Sequence, residues 1–144
     1  MKPKKKELAG VHLHAIRVEF HFKDLLQVII GASILAIPVG FTEETWRLGE
    51  TLPWLNVFIL GGLSLLFISA FVYDHYYRGK LNEHWFVFIE RVVLTYVVSF
   101  LVVAVLLTVI QRTPWSLDLV LSLKRVAIVT FPSTLSAAIA DVLK

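Results

Sequence analysis

The chain has 144 residues, of which 57% are hydrophobic and only 17% charged, and its mean hydropathy is +0.74. That balance excludes an ordinary water-soluble domain, in which about a quarter of the residues carry charge, and points to lipid as the natural solvent. The formal charge of +3 and the lack of cysteine leave no basis for a nucleic-acid-binding surface, a disulfide framework, a thiolate metal site or a thiol nucleophile.

Residues 1–24 form a polar, basic N-terminal segment that begins with Lys2, Lys4, Lys5 and Lys6. The lysines meet anionic headgroups or record the orientation of the chain in the membrane. About two dozen polar and mixed residues before the first apolar run do not suit a cleavable signal peptide, so that run is expected to stay as an anchor. Just ahead of it, Ile16, Val18, Phe20 and Phe22 alternate with Arg17, Glu19, His21 and Lys23. A period of two predicts a short strand or an extended, amphipathic strip on the membrane face.

Residues 25–144 are expected to form the membrane domain, with four apolar segments long enough to span as helices. The first covers 25–46, apolar from Leu25 to Phe41 and finished by Glu43, Glu44 and an interfacial Trp46. The second runs from about Pro53 to Tyr73, with Trp54 at one headgroup level and Tyr73, Tyr76 and Tyr77 at the other. A third, from about Trp85 to Ile110, holds the uncharged run TYVVSFLVVAVLLTVI and reads as the most lipid-exposed. The fourth is less clean: WSLDLVLSLKR has an amphipathic, interfacial character, and VAIVTFPSTLSAAIADVLK is barely long enough to cross. The fold class is therefore an all-α, polytopic membrane protein. With the N-terminus in the cytoplasm, ten Lys and Arg fall inside and Arg47, Arg112, Lys124 and Arg125 fall outside, as expected of a multi-pass protein of the cell membrane. Lys124 and Arg125 are the awkward pair, and a re-entrant fourth segment would put the C-terminus outside.

Ala32, Ala36 and Gly40 stand four apart on the first span, and Ala137 offers a similar small surface on the fourth. Such positions let helices approach closely, so the first and fourth spans are expected to pack together. Pro38 and Pro132 each remove a backbone hydrogen bond and leave a carbonyl to be satisfied. Thr42, Glu43 and Glu44 follow the first proline; Thr130, Ser133, Thr134 and Ser136 surround the second. Two readings stand for both groups. Glu43 and Glu44 attract a cation at an outer mouth, or cap the helix and pair with Arg47, Lys124 or Arg125. The hydroxyls line a solute path, or bond between helices. Glu90 and Arg91 enter the third span and Asp141 ends the fourth; a Glu90 or Asp141 link to Arg91 is the simplest resolution, and a proton or cation relay the sharper one.

His12, His14, His21, His75 and His84 match no compact ligand spacing, so neither a metal nor another cofactor is expected. No GxSxG, HExxH or phosphate-binding glycine loop is present, and no enzymatic activity is expected. Gly31, Ala32 and Pro38, then Phe41-Thr42-x-Glu44-x-Trp46, then Phe131, Pro132 and Ala137, together resemble a family of small prokaryotic integral membrane proteins of unknown function whose proline helix ends in Thr-x-Glu-x-Trp. The resemblance covers about a third of the chain and singles out Thr42, Glu44 and Trp46; Glu43 departs from it, where an apolar residue would stand. It implies a membrane protein and no substrate. The sequence is thus read as a self-associating ion or small-solute channel or transporter with an acidic outer mouth, its ligand an inorganic cation, or else as a non-transporting scaffold or subunit that docks a partner through its first and fourth spans.

Overall fold

The computed structural model describes residues 3–77 and 81–143, with side chains for 22–75 and 85–143. The lysine cluster, Arg17, His12, His14, His21, His84, Tyr76, Tyr77, Arg78, Lys80 and Lys144 lie outside the residues whose side chains are described. The helices are α1 (Pro3–Gly40), α2 (Glu43–Thr51), α3 (Trp54–Val72, continued by a π-helical turn Tyr73–Tyr77), α4 (Leu81–Val109) and α5 (Leu119–Val142). Four of them contain stretches long and apolar enough to cross a membrane: Phe22–Gly40, Trp54–His75, Trp85–Val109 and Leu119–Val142.

Three boundaries differ from expectation. The alternating stretch at Ile16 to Lys23 belongs to α1 and is not a strand. A lone extended strip leaves its backbone groups unpaired at the membrane, whereas a helix satisfies them within its own segment. The first span ends at Gly40, and the acidic residues beyond it start a separate helix, α2. The fourth segment is one continuous helix from Leu119, started by Asp118, whose Oδ1 accepts from the Leu121 N–H at 2.9 Å. Its 24 residues reach ~36 Å at 1.5 Å per residue, enough to cross with tilt.

α5 is the central element. It packs most extensively on α1, then on α3 and α4, while α1 and α3 lie on opposite sides of it. Ala36, Val103, Leu107, Val126 and Val129 fill the half of the bundle nearer α2; Val28, Ala32 and Ala137 lie at mid-depth; Ile68, Val72, Val92 and Ala138 fill the other half. Large apolar side chains such as Ile34, Phe58, Leu66, Leu101 and Val105 point outward. A chain folded in water would bury such residues, and here they form the outer wall. α4 does not stand out as the most exposed: 28% of its most apolar stretch is buried, close to the 22% in α1 and in α3. An apolar sequence suits lipid and protein neighbours equally well, so purity does not reveal which it meets.

The α1–α5 seam is held by close approach. A Cβ added at Gly31 would stand 2.5 Å from the Ala140 Cβ and 2.9 Å from the Ala137 Cα. The two helices meet almost backbone to backbone there, and the Ser133 hydroxyl donates across the seam to the Ala32 carbonyl at 2.9 Å. In lipid such packing replaces the hydrophobic drive between helices, with about 0.6 kcal/mol from an interhelical hydrogen bond. Gly31→Ala must push the helices apart and should destabilise the bundle by about 1–3 kcal/mol, read from denaturant unfolding in detergent. Gly62→Ala, whose added Cβ meets nothing within 4 Å, should change stability by less than about 0.5 kcal/mol.

Candidate functional site

Where the start of α4 meets the end of α5 and the first membrane turns of α1, three charged side chains come together. The Arg91 guanidinium donates from Nε and Nη2 to Asp141 Oδ2 at 3.1 and 2.6 Å, and from Nη2 to Asp24 Oδ2 at 3.3 Å. Arg91 and Asp24 are each 9% exposed and Asp141 only 2%, so all three charges are largely withdrawn from solvent. Burial of charge is costly unless partners replace the lost water. Arginine suits that task because its planar fork can serve two carboxylates at once. A cavity of about 50 Å³ adjoins the cluster, lined by Asp24, Arg91, Asp141 and Glu90 among apolar neighbours that include Val28 and Leu94. Glu90 is exposed and forms no ion pair among the described residues.

The opposite end of α5 carries a second buried cation. Arg125, also 9% exposed, donates to the Trp46 carbonyl at 3.2 Å, the Arg112 carbonyl at 2.7 Å and Glu50 Oε1 at 3.0 Å. It thereby ties α2 and the α4–α5 connection to the top of α5. Gly49 leaves room for its stem, since a Cβ there would lie 2.5 Å from the Arg125 Cγ. Trp46 turns back to donate its indole N–H to the Gly40 carbonyl at 2.7 Å, which satisfies one of the acceptors left open at the end of α1. The Arg112 guanidinium sits 3.5 Å above the Trp46 ring. Thr42 bridges the break between α1 and α2: its hydroxyl lies 2.8 Å from the Val39 carbonyl and 2.6 Å from Thr45 Oγ1.

The candidate path residues do not converge on one cavity. Glu90 and Asp141 meet at the Arg91 cluster. Pro38, Thr42, Glu43 and Glu44 are exposed on or near the α2 face. Glu43 pairs with Arg47 at 2.7 Å, an exposed bridge worth a few tenths of a kcal/mol, whereas Glu44 has no partner among the described residues. Pro132, Ser133 and Thr134 lie between the two ends. Ser133 and Thr134 are fully buried, and their hydroxyls bond the Ala32 and Phe131 carbonyls. Ala32, Ala36, Gly40 and Ala137 are all buried. Asp24, which completes the Arg91 cluster, was assigned by sequence reasoning to the polar segment. The available signal was its place one residue before an apolar run, where a carboxylate needs a cation within reach. Arg125 pairs with Glu50 and not with Glu43 or Glu44, because α2 turns the earlier acids outward.

Four spans, three of them packed around the polar fourth, with ion clusters at both ends of that helix, define a small polytopic helical membrane protein. The chain belongs to the DUF2391 family of integral membrane proteins, which matches it over residues 2–143. No curated protein and no solved structure matches it significantly.

Removing one member of a buried ion cluster leaves the remaining charges less well compensated. Arg91→Gln should therefore lower unfolding stability in detergent by about 3 kcal/mol, while Glu90→Gln, which breaks no pair, should stay within about 0.5 kcal/mol. Arg125→Gln should free α2 from α5, and limited proteolysis should then cut within residues 41–53 of the variant well before the wild type.

Proposed function

We propose that the protein moves an inorganic cation, a proton or a small solute across the membrane as a self-associated assembly. The observation that carries this reading is the Asp24–Arg91–Asp141 cluster beside a cavity that also presents Glu90. Charged side chains at membrane depth are costly and characteristically serve ion or proton pathways, and this cluster places three carboxyl groups around one small space. The core of a single protomer is filled by side chains such as Val103, Val126 and Thr130, all with no exposed surface. The path therefore runs between copies, or opens when an outer helix shifts against the α1–α5 pair. With the N-terminus in the cytoplasm, Glu44 faces the outer side with no internal partner, free to gather cations around an oligomer axis.

A second reading, a non-transporting scaffold or subunit, is favoured by one observation: the hydroxyls of α5 are engaged in packing and hydrogen bonds, as Ser133 is to α1. The two readings separate in liposomes. Purified wild type should carry cation flux, and Glu44→Gln and Glu90→Gln should each reduce it by about an order of magnitude, the effect of ~1.4 kcal/mol at one barrier. Neither residue holds the fold, so loss of flux would not reflect unfolding. A wild type that passes nothing across several cations and pH values overturns transport and leaves the scaffold.

A further inference from the structure

On the α2 half of the bundle, α3 and α4 stand apart and leave a laterally open cleft floored by Leu123 and Ala127 of α5. Trp54, Phe58, Gly62 and Phe100 are among its wall residues, and it encloses about 820 Å³ counting its open side. Along three turns of α3 its lining is apolar, and the Tyr96 hydroxyl of α4, 3.5 Å from where a Gly61 Cβ would stand, brings a polar group to the opposite wall. Gly62 leaves it open, since a Cβ there would meet nothing within 4 Å. At its mouth the Lys124 ammonium lies 5.3 Å from the centroid of the Trp54 ring. Trp54 opens α3 and Lys124 lies in the second turn of α5, near the headgroup level. Lys124 has no carboxylate partner among the described residues, so its charge is left for a ligand to meet.

We propose that this cleft is a binding site for one anionic phospholipid of the leaflet on the α2 side, with its phosphate on Lys124 and an acyl chain along Gly62. The charge at the mouth calls for an anion at headgroup depth, and a lysine near the membrane surface contributes about 1 kcal/mol toward anionic lipid. The cleft below is walled mostly by apolar side chains and suits an acyl chain, whose ester end can meet the Tyr96 hydroxyl. The Trp54 indole beside Lys124 places an amphipathic ring where glycerol and ester groups lie. The site stands apart from the Arg91 cluster and does not depend on transport.

The test is native mass spectrometry of the full chain, delipidated in detergent and titrated with phosphatidylglycerol or phosphatidylcholine of identical acyl chains. Wild type should bind one phosphatidylglycerol about fivefold more tightly than phosphatidylcholine. Lys124→Gln should abolish that preference, weakening phosphatidylglycerol more than phosphatidylcholine, whose choline offsets the charge of its phosphate. Gly62→Leu, which adds its side chain into open space and should keep the thermal midpoint of the wild type, should weaken both lipids. Equal affinity of wild type for the two lipids overturns the proposal, as does a preference that survives in Lys124→Gln. A Gly62→Leu variant that keeps its lipid affinity but changes from dimer to monomer assigns the cleft to a second copy and overturns it equally.

Discussion

In hydrocarbon a hydroxyl or a charge must find its partner inside the protein, and that constraint decides which helix stands at the centre of this bundle. α5 carries Ser122, Arg125, Thr130, Ser133, Thr134, Ser136 and Asp141, all buried. It cannot face lipid on any broad side, so α1, α3 and α4 surround it. Much of its polarity is settled locally, as Ser122 and Thr130 bond the carbonyls four residues back. What local bonds cannot satisfy are its charges, and these lie at opposite ends of the helix. Arg125 holds one end and Asp141 the other.

The two ends solve the same problem in different ways. At the α2 end the buried cation is met chiefly by backbone carbonyls, those of Trp46 and Arg112. Those acceptors are fixed by the chain path, so Arg125 acts as a clamp on two connections. At the other end Arg91 is met by carboxylates from two other helices. Carboxylate side chains can turn about their own bonds where backbone carbonyls cannot, so the Arg91 end is held by side-chain geometry and the Arg125 end mainly by the chain path.

The membrane environment and the four spans were legible because both rest on length and apolarity. The α1–α5 contact was legible too, since small residues four apart on Ala32, Ala36 and Gly40 form a single face whatever the neighbour. Arg91 to Asp141 could be anticipated because only a few opposite charges lie at that depth. Asp24 could not be separated from the basic segment around it, since a one-residue difference in where the membrane begins decides whether a carboxylate is solvated or buried. Helix α2 was obscured for a related reason. Its residues EETWRLGET read as a boundary when the span before them is assumed to be straight, and only the break at Thr42 reveals a second helix lying across the end. The order of exposure among α1, α3 and α4 was illegible in principle, because lipid tails and neighbouring helices present the same apolar chemistry.

A bundle built this way has limited room to move. The α1–α5 seam is locked by Gly31 against Ala137 and Ala140, and α5 is pinned at Arg125, so these elements move as one body. α3 is freer: its packing on α4 is confined mainly to the half around Ile68, Val72 and Val92, and the other half opens into the cleft above Tyr96. α4 touches both the locked pair and α3, and its Arg91 is paired with Asp24 of α1 and Asp141 of α5. A rotation of α4 would have to strain both ion pairs at once, whereas α3 carries no charged side chain between Trp54 and Val72 and is held by apolar packing alone, so the adjustable edge of the bundle is α3 beside its cleft.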